Sequence, residues 1–207
     1  SSSTGFMHII SGLTTTGAGL VHFRQRIEAV NAFGLNGKTV TVSGNVAQDT
    51  GATQSLTVRL NKANSTDNFG ATTLIANSTT TTVASGVLTK FTATFNLAAT
   101  DASSGLELVL EYAGVGALTS KSFYLGDVQL EPGSVATTFE HRPYGMELAL
   151  CQRYYRTSYI GVVPGTVSSV GVVYGGHYYN SSSPSGDGVG VIKIDYGVDM
   201  RATPTVV

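Results

Sequence analysis

Leu106-Glu107-Leu108-Val109-Leu110-Glu111-Tyr112 is the stretch that decides the fold class. Leu106, Leu108, Leu110 and Tyr112 occupy every second position, so an extended chain puts all four on one face. The same beat recurs upstream in Val40, Val42 and Val46, in Leu56, Val58 and Leu60, and in Phe91 and Phe95. Turn-forming clusters separate the runs: Asn61-Lys62-Ala63-Asn64-Ser65-Thr66-Asp67-Asn68, Ala84-Ser85-Gly86 and Thr100-Asp101-Ala102-Ser103-Ser104-Gly105. Short strands with one apolar face each, joined by regular turns, predict an all-β chain built as a sandwich of jelly-roll type.

Composition points the same way. Charged residues make up 12% of the chain, about half the roughly 25% usual for soluble domains. β-branched Thr and Val lose side-chain freedom in a helix but sit well on a pleated surface, and Gly supplies tight turns. The 207 residues leave room for one large domain or two modest ones. A net charge of −1 without any run of Lys or Arg offers few cations to a phosphate backbone, which argues against a nucleic-acid partner. No long apolar stretch and no basic-then-apolar leader is present, so membrane insertion is not expected. Cys151 is the only cysteine, which excludes an internal disulfide framework and a cysteine-based structural zinc site. The chain opens on Ser1-Ser2-Ser3 and closes on Pro204-Thr205-Val206-Val207, which reads as the start of a strand, so a fragment of a longer protein is expected.

Downstream of the deciding stretch, Phe123, Leu125, Val128 and Leu130 alternate with a one-residue slip at Gly126-Asp127. A slip of that kind predicts a β-bulge and a bend. Glu131-Pro132-Gly133 then reads as a turn. From Pro143 to Arg156, Met146, Leu150 and Tyr154 recur every four residues, which predicts a helix of two or three turns held by packing against the sandwich or against copies of itself. β character returns in Val170, Val172 and Tyr174 and in Ile192, Ile194 and Tyr196. The predicted organisation is a jelly-roll β-sandwich over 1–142, a helical linker over 143–157, and a partial C-terminal β domain over 158–207 that leans on a partner chain.

The segment Phe123-Tyr124-Leu125-Gly126-Asp127-Val128-Gln129-Leu130-Glu131-Pro132-Gly133-Ser134-Val135-Ala136-Thr137-Thr138-Phe139-Glu140-His141-Arg142-Pro143-Tyr144 resembles a signature of bacteriophage tail-fibre proteins. Two further blocks follow in that family's order: Glu147-Leu148-Ala149-Leu150-Cys151-Gln152-Arg153-Tyr154-Tyr155 and Met200-Arg201-Ala202-Thr203-Pro204-Thr205. Upstream, Gln25-Arg26-Ile27-Glu28 and Leu35-Asn36-Gly37-Lys38-Thr39-Val40-Thr41-Val42-Ser43 look like the opening strands of the same module. Thr138 departs from the family, which has Pro there, and the family continues past Val207. The resemblance implies a jelly roll similar to carbohydrate-binding modules, a short helical linker and a C-terminal β domain, in trimeric fibres.

The acids Glu28, Asp49, Glu107, Glu111, Asp127, Glu131, Glu140 and Glu147 form no catalytic motif, so no enzyme and no cofactor are expected. Glu107 and Glu111 share a strand face but stand about 13 Å apart by the strand rise, too far for either glycosidase geometry. They are expected on a solvated face. His8, His22, His141 and His177 share no short metal-ligand spacing and are expected to be structural or exposed. Asp127 is expected to stabilise the bulge by a hydrogen bond, with a structural calcium site as the alternative. Tyr154 and Tyr155 are expected to pack, and Cys151 to be a buried free thiol.

Sugar recognition joins aromatic faces to short polar groups in a concave site. Tyr174, His177, Tyr178, Tyr179 and Asn180 supply those ingredients around Gly175-Gly176 and are the candidate glycan-binding residues, although tyrosines there also suit a chain-to-chain interface. The resulting expectation is a receptor-binding part of a phage tail fibre, a homotrimer among other virion proteins, that holds host surface glycans outside the cell without catalysis. Two readings stay open beside it: a purely structural virion protein of baseplate, collar or capsid decoration, and a carbohydrate-binding module of a polysaccharide-degrading enzyme.

Overall fold

The computed structural model describes residues 7–17, 19–78 and 80–154. The chain divides into two compact units, 1–140 and 141–207. Among the described residues of the first unit, nine strands form two antiparallel sheets. The strands are β1 (Met7–Thr15), β2 (Leu20–Ile27), β3 (Thr39–Gln48), β4 (Gln54–Ser65), β5 (Asn68–Asn77), β6 (Thr81–Val83), β7 (Thr89–Asn96), β8 (Leu106–Ala113) and β9 (Leu118–Pro132). One sheet has the order β1-β9-β3-β7; the other has β2-β8-β4-β5, with β6 pairing on β4. Because the chain passes repeatedly from one sheet to the other, the architecture is a jelly-roll β-sandwich, as the alternation predicts.

The core is made by the inward positions that the sequence marks. Val40, Val42 and Val46 of β3 and Phe91 and Phe95 of β7 are buried from one sheet; Leu56, Val58 and Leu60 of β4 and Leu106, Leu108, Leu110 and Tyr112 of β8 are buried from the other. The slip at Gly126-Asp127 is a bulge. Ser43 pairs with Gln129 and Asn45 with Gly126, so two steps along β3 face three along β9. Asp127 takes a left-handed φ of 52° there, and Asn45 Nδ2 donates to its Oδ2 at 2.9 Å. The expected bulge-holding hydrogen bond is thus present.

The cluster from Asn61 to Asn68 is not all turn. β4 continues to Ser65 and pairs it with Asn68, leaving only Thr66-Asp67 at the bend, where Asp67 takes a φ of 55°. Asn64, Ser65 and Asn68 look like loop residues in isolation, yet cross-strand pairing overrides that local tendency.

The segment after β9 is tied back to it by the polar residues of the tail-fibre-like block. Thr137 donates from its backbone N–H to Glu131 Oε1 at 2.8 Å and from its hydroxyl to Oε2 at 2.7 Å. Gln129 Nε2 donates to Thr137 Oγ1, and Gln129 Oε1 accepts from the Glu140 N–H. These bonds hold the Glu131 carboxyl below the usual carboxylate range, the backbone N–H of Thr137 contributing most. Gln and Glu two residues apart on one strand face are what such a clamp requires.

In the second unit, helix α1 (Tyr144–Gln152) has the expected two to three turns. None of its residues is buried, and Met146, Leu150 and Tyr154 are exposed. Cys151, expected to be buried, is exposed; the apolar residues of α1 do not close over it. No helix among the described residues is long and apolar enough to cross a membrane. Tyr155 and the partial β domain predicted over 158–207 lie outside the described residues.

Candidate functional site

The outward face of β2, β8 and β4 carries a ladder of polar side chains. β2 and β4 both pair with β8, and the register lines up three rows on the face opposite the core: His22, Glu111 and Thr57; Arg24, Val109 and Arg59; Arg26, Glu107 and Asn61. The period of two that buries Leu106, Leu108 and Leu110 on one side fixes this assortment on the other.

The rows are tied together by hydrogen bonds. Glu107 is held on both oxygens: Arg26 Nε donates to Oε2 at 3.2 Å and Asn61 Nδ2 to Oε1 at 3.2 Å. Glu111 Oε2 receives Arg59 Nη1 at 2.8 Å and stands 2.9 Å from His22 Nε2. Arg24 Nη2 lies 2.9 Å from His22 Nδ1. A guanidinium can only donate, so Nδ1 accepts and Nε2–H donates to Glu111, which assigns the tautomer from its partners. The guanidinium of Arg26 also lies 5.5 Å from the ring centre of Phe69, within cation–π range.

The two carboxylates are not solvated. Glu107 is 3% exposed, and Val109, at the centre of the ladder between Arg24 and Arg59, is also 3% exposed although it points away from the core. The expectation for Glu107 and Glu111 is corrected on this point, for a physical reason: each carboxylate sits between cationic or amide donors on both neighbouring strands, and such pairs cover one another. Burial alone would push the Glu111 carboxyl up, but the hydrogen bond and charge of Arg59, with the hydrogen bond from His22, outweigh it and hold it below the usual carboxylate range.

Sequence reasoning weighed the acids without their cross-strand partners and missed the ladder. The signal was present as three matched alternations: His22, Arg24 and Arg26; Thr57, Arg59 and Asn61; Glu107, Val109 and Glu111. Opposite charges spaced by two residues in different strands are a pairing signature, but only the strand order shows which strands are neighbours.

Tyr174, His177, Tyr178, Tyr179 and Asn180 lie outside the described residues. Among the described residues no three His, Cys, Asp or Glu side chains gather as metal ligands; the Asp127 carboxylate accepts from the amide of Asn45.

No protein-family model matches the chain, and no curated protein matches it. Among solved structures it is similar to a CBM4 structure, at 21% identity over 54% of this chain with a TM-score of 0.39; the chain spans 61% of that one. It is also similar to the CBM22-2 xylan-binding domain from Paenibacillus barcinonensis Xyn10C, at 21% identity, 63% of this chain, 88% of that one and a TM-score of 0.36. The C-terminal family 22 carbohydrate binding module of Clostridium thermocellum Xyn10B matches at 14% identity, 66% of this chain, 86% of that one and a TM-score of 0.40. These similarities add nothing to the strand order as a description of the fold.

Proposed function

We propose that the sandwich is a non-catalytic glycan-binding module, that the ladder on β2, β8 and β4 is where the sugar lies, and that the chain serves in a phage tail fibre that attaches to host surface glycans. The observation that carries the glycan reading is the locking of carboxylate, guanidinium, imidazole and amide groups into one another on an outward sheet face. A sugar offers a flat array of hydroxyls, each both donor and acceptor. Side chains already fixed by their neighbours lose little rotamer freedom on meeting it. Phe69 beside Arg26 adds an aromatic ring at one end of the ladder.

The same network disfavours hydrolysis. A glycosidase acid must keep its proton near neutral pH, whereas Glu111 is held ionised by Arg59 and by the hydrogen bond from His22. Glu107 has both oxygens occupied. The two stand four residues apart along β8, about 13 Å by the strand rise and beyond the separations glycosidases use.

The tail-fibre setting is supported by the three blocks in family order, one of which includes the Gln129 and Glu131 clamp. In a trimer, weak contacts repeated on several chains raise effective affinity without a chemical step. The test is a glycan array with the whole chain, paired with light scattering. Binding to one class of surface oligosaccharide by a trimer is expected, with Asn61→Ala weakening it about tenfold or more in protein that is still folded and also lowering the melting temperature, because the buried Glu107 Oε1 loses its donor. No binding to any glycan, or release of shortened oligosaccharides, sinks the proposal.

A further inference from the structure

Resting on that reading, we infer that the sugar taken by this face is anionic, and that Arg24 receives its carboxylate or phosphate group. Three guanidinium groups stand on the ladder against two carboxylates. Arg26 is paired with Glu107 and Arg59 with Glu111. Arg24 has no carboxylate partner among the described residues; its one side-chain contact is the neutral acceptor nitrogen of His22. It is therefore the uncompensated charge of the face, on an exposed side chain in the middle row.

The charges around it leave that surplus in place. Outward across β4 and β5 the ladder continues to Thr57, Asn77 and Leu74, none of them charged. Lys62 and Asp101 neutralise each other at 2.8 Å. Past Arg26, beyond the end of β2, Glu28 is buried, and Asp67 Oδ1 accepts from the Ala29 N–H at 2.7 Å. An anion meeting this face finds at Arg24, in the middle row, a cation without a carboxylate partner, while Glu107 and Glu111 in the flanking rows are each already bonded to an arginine.

The anchoring by His22 also gives Arg24 a direction. One terminal nitrogen is held at 2.9 Å, so the guanidinium plane is steadied while its other N–H donors remain available. A steadied fork fits a planar carboxylate with two parallel hydrogen bonds, and it fits two oxygens of a phosphate equally well. A lysine keeps the charge but lacks the fork.

The test is titration of the whole chain with matched neutral, uronate-bearing and phosphate-bearing oligosaccharides, repeated with Arg24→Gln and Arg24→Lys. Arg24 is exposed, so both variants should melt with the parent. The expected result is binding of an acidic oligosaccharide, weakened tenfold or more by Arg24→Gln and severalfold by Arg24→Lys, and falling as salt rises. Preference between the uronate and phosphate series identifies the anion. Binding of neutral sugars alone overturns the charge assignment and leaves the glycan reading standing; binding of none overturns both. Acidic binding that Arg24→Gln leaves unchanged also overturns the role of Arg24.

Discussion

The rings of Tyr112 and Phe123 meet across the two sheets with centroids 5.1 Å apart and planes inclined by 55°. Tyr112 belongs to β8 and Phe123 to β9, and both are fully buried. Tilted packing of this kind is worth about 0.5–1.5 kcal/mol beyond the area buried. Yet the Tyr112 hydroxyl is buried with no hydrogen-bond partner among the described residues, and burial pushes its pKa up. Leaving such a group unpaired costs about 1–3 kcal/mol. Tyr112→Phe should therefore be neutral or stabilising in urea unfolding, while Phe123→Ala should cost about 3–5 kcal/mol. A clear loss on Tyr112→Phe would show that the hydroxyl has a partner after all.

Gly44 is the inward residue of β3 that has no side chain because Phe91 occupies its place. A Cβ built on Gly44 would stand 2.8 and 2.9 Å from two atoms of the Phe91 ring and 3.2 Å from Val128 Cγ2. Phe91 is directly paired with Gly44 and is itself buried, so the ring has nowhere to swing. Gly44→Ala should cost about 1–3 kcal/mol by overpacking. Adding Phe91→Leu should recover part of that loss relative to Phe91→Leu alone, measured as coupling in a double-mutant cycle. Additive losses would mean that the ring and the new methyl do not compete.

The contrast between Gly44 and Leu108 shows what was legible in the sequence. Leu108 announces its own face through its neighbours at 106, 110 and 112, and the bulge at Gly126-Asp127 announces itself as a break in alternation. Such features depend on residues close in the chain. Gly44 reads as one more glycine, because its reason lies in Phe91, 47 positions away in a partner strand. The ladder is the same case. Arg24 and Arg59 meet β8 from either side only because β2 and β4 are its two neighbours, and alternation carries no information about strand order. The exposed thiol of Cys151 was missed because a four-residue repeat on a short helix does not say what, if anything, covers it.

Asp127 is tied across the bulge by Asn45, and that bond is expected to hold the bulge without calcium. Asn tolerates the left-handed region nearly as well as Asp and retains an acceptor oxygen. Asp127→Asn should therefore shift stability by less than about 0.5 kcal/mol. Asp127→Val loses the hydrogen bond and forces a β-branched residue to positive φ, and should cost about 1–3 kcal/mol. Millimolar calcium or a chelator should leave the melting temperature of the parent unchanged. A rise with calcium that Asp127→Asn abolishes would restore the metal reading.

Acid should unfold the sandwich by breaking the ladder and the Lys62–Asp101 pair. Asp101 is held below its ordinary value of 3.8, chiefly by the hydrogen bond from Lys62, and Glu111 below its ordinary 4.5 despite its burial. Both carboxyls are depressed in the folded state, so at mildly acid pH the unfolded chain binds more protons than the folded one. Stability from these groups is then complete above their unfolded values and drains away as pH falls through the folded ones. The urea midpoint should change little between pH 7 and pH 5 on their account and fall steadily below about pH 4.5. Glu111→Gln should lower stability at pH 7 by roughly 1–2 kcal/mol, since it loses charge-assisted bonds in a partly exposed setting, and should flatten the acid limb. A midpoint that holds steady to pH 3, or an acid limb as steep in Glu111→Gln and Asp101→Asn as in the parent, would remove these carboxylates from the account of acid stability.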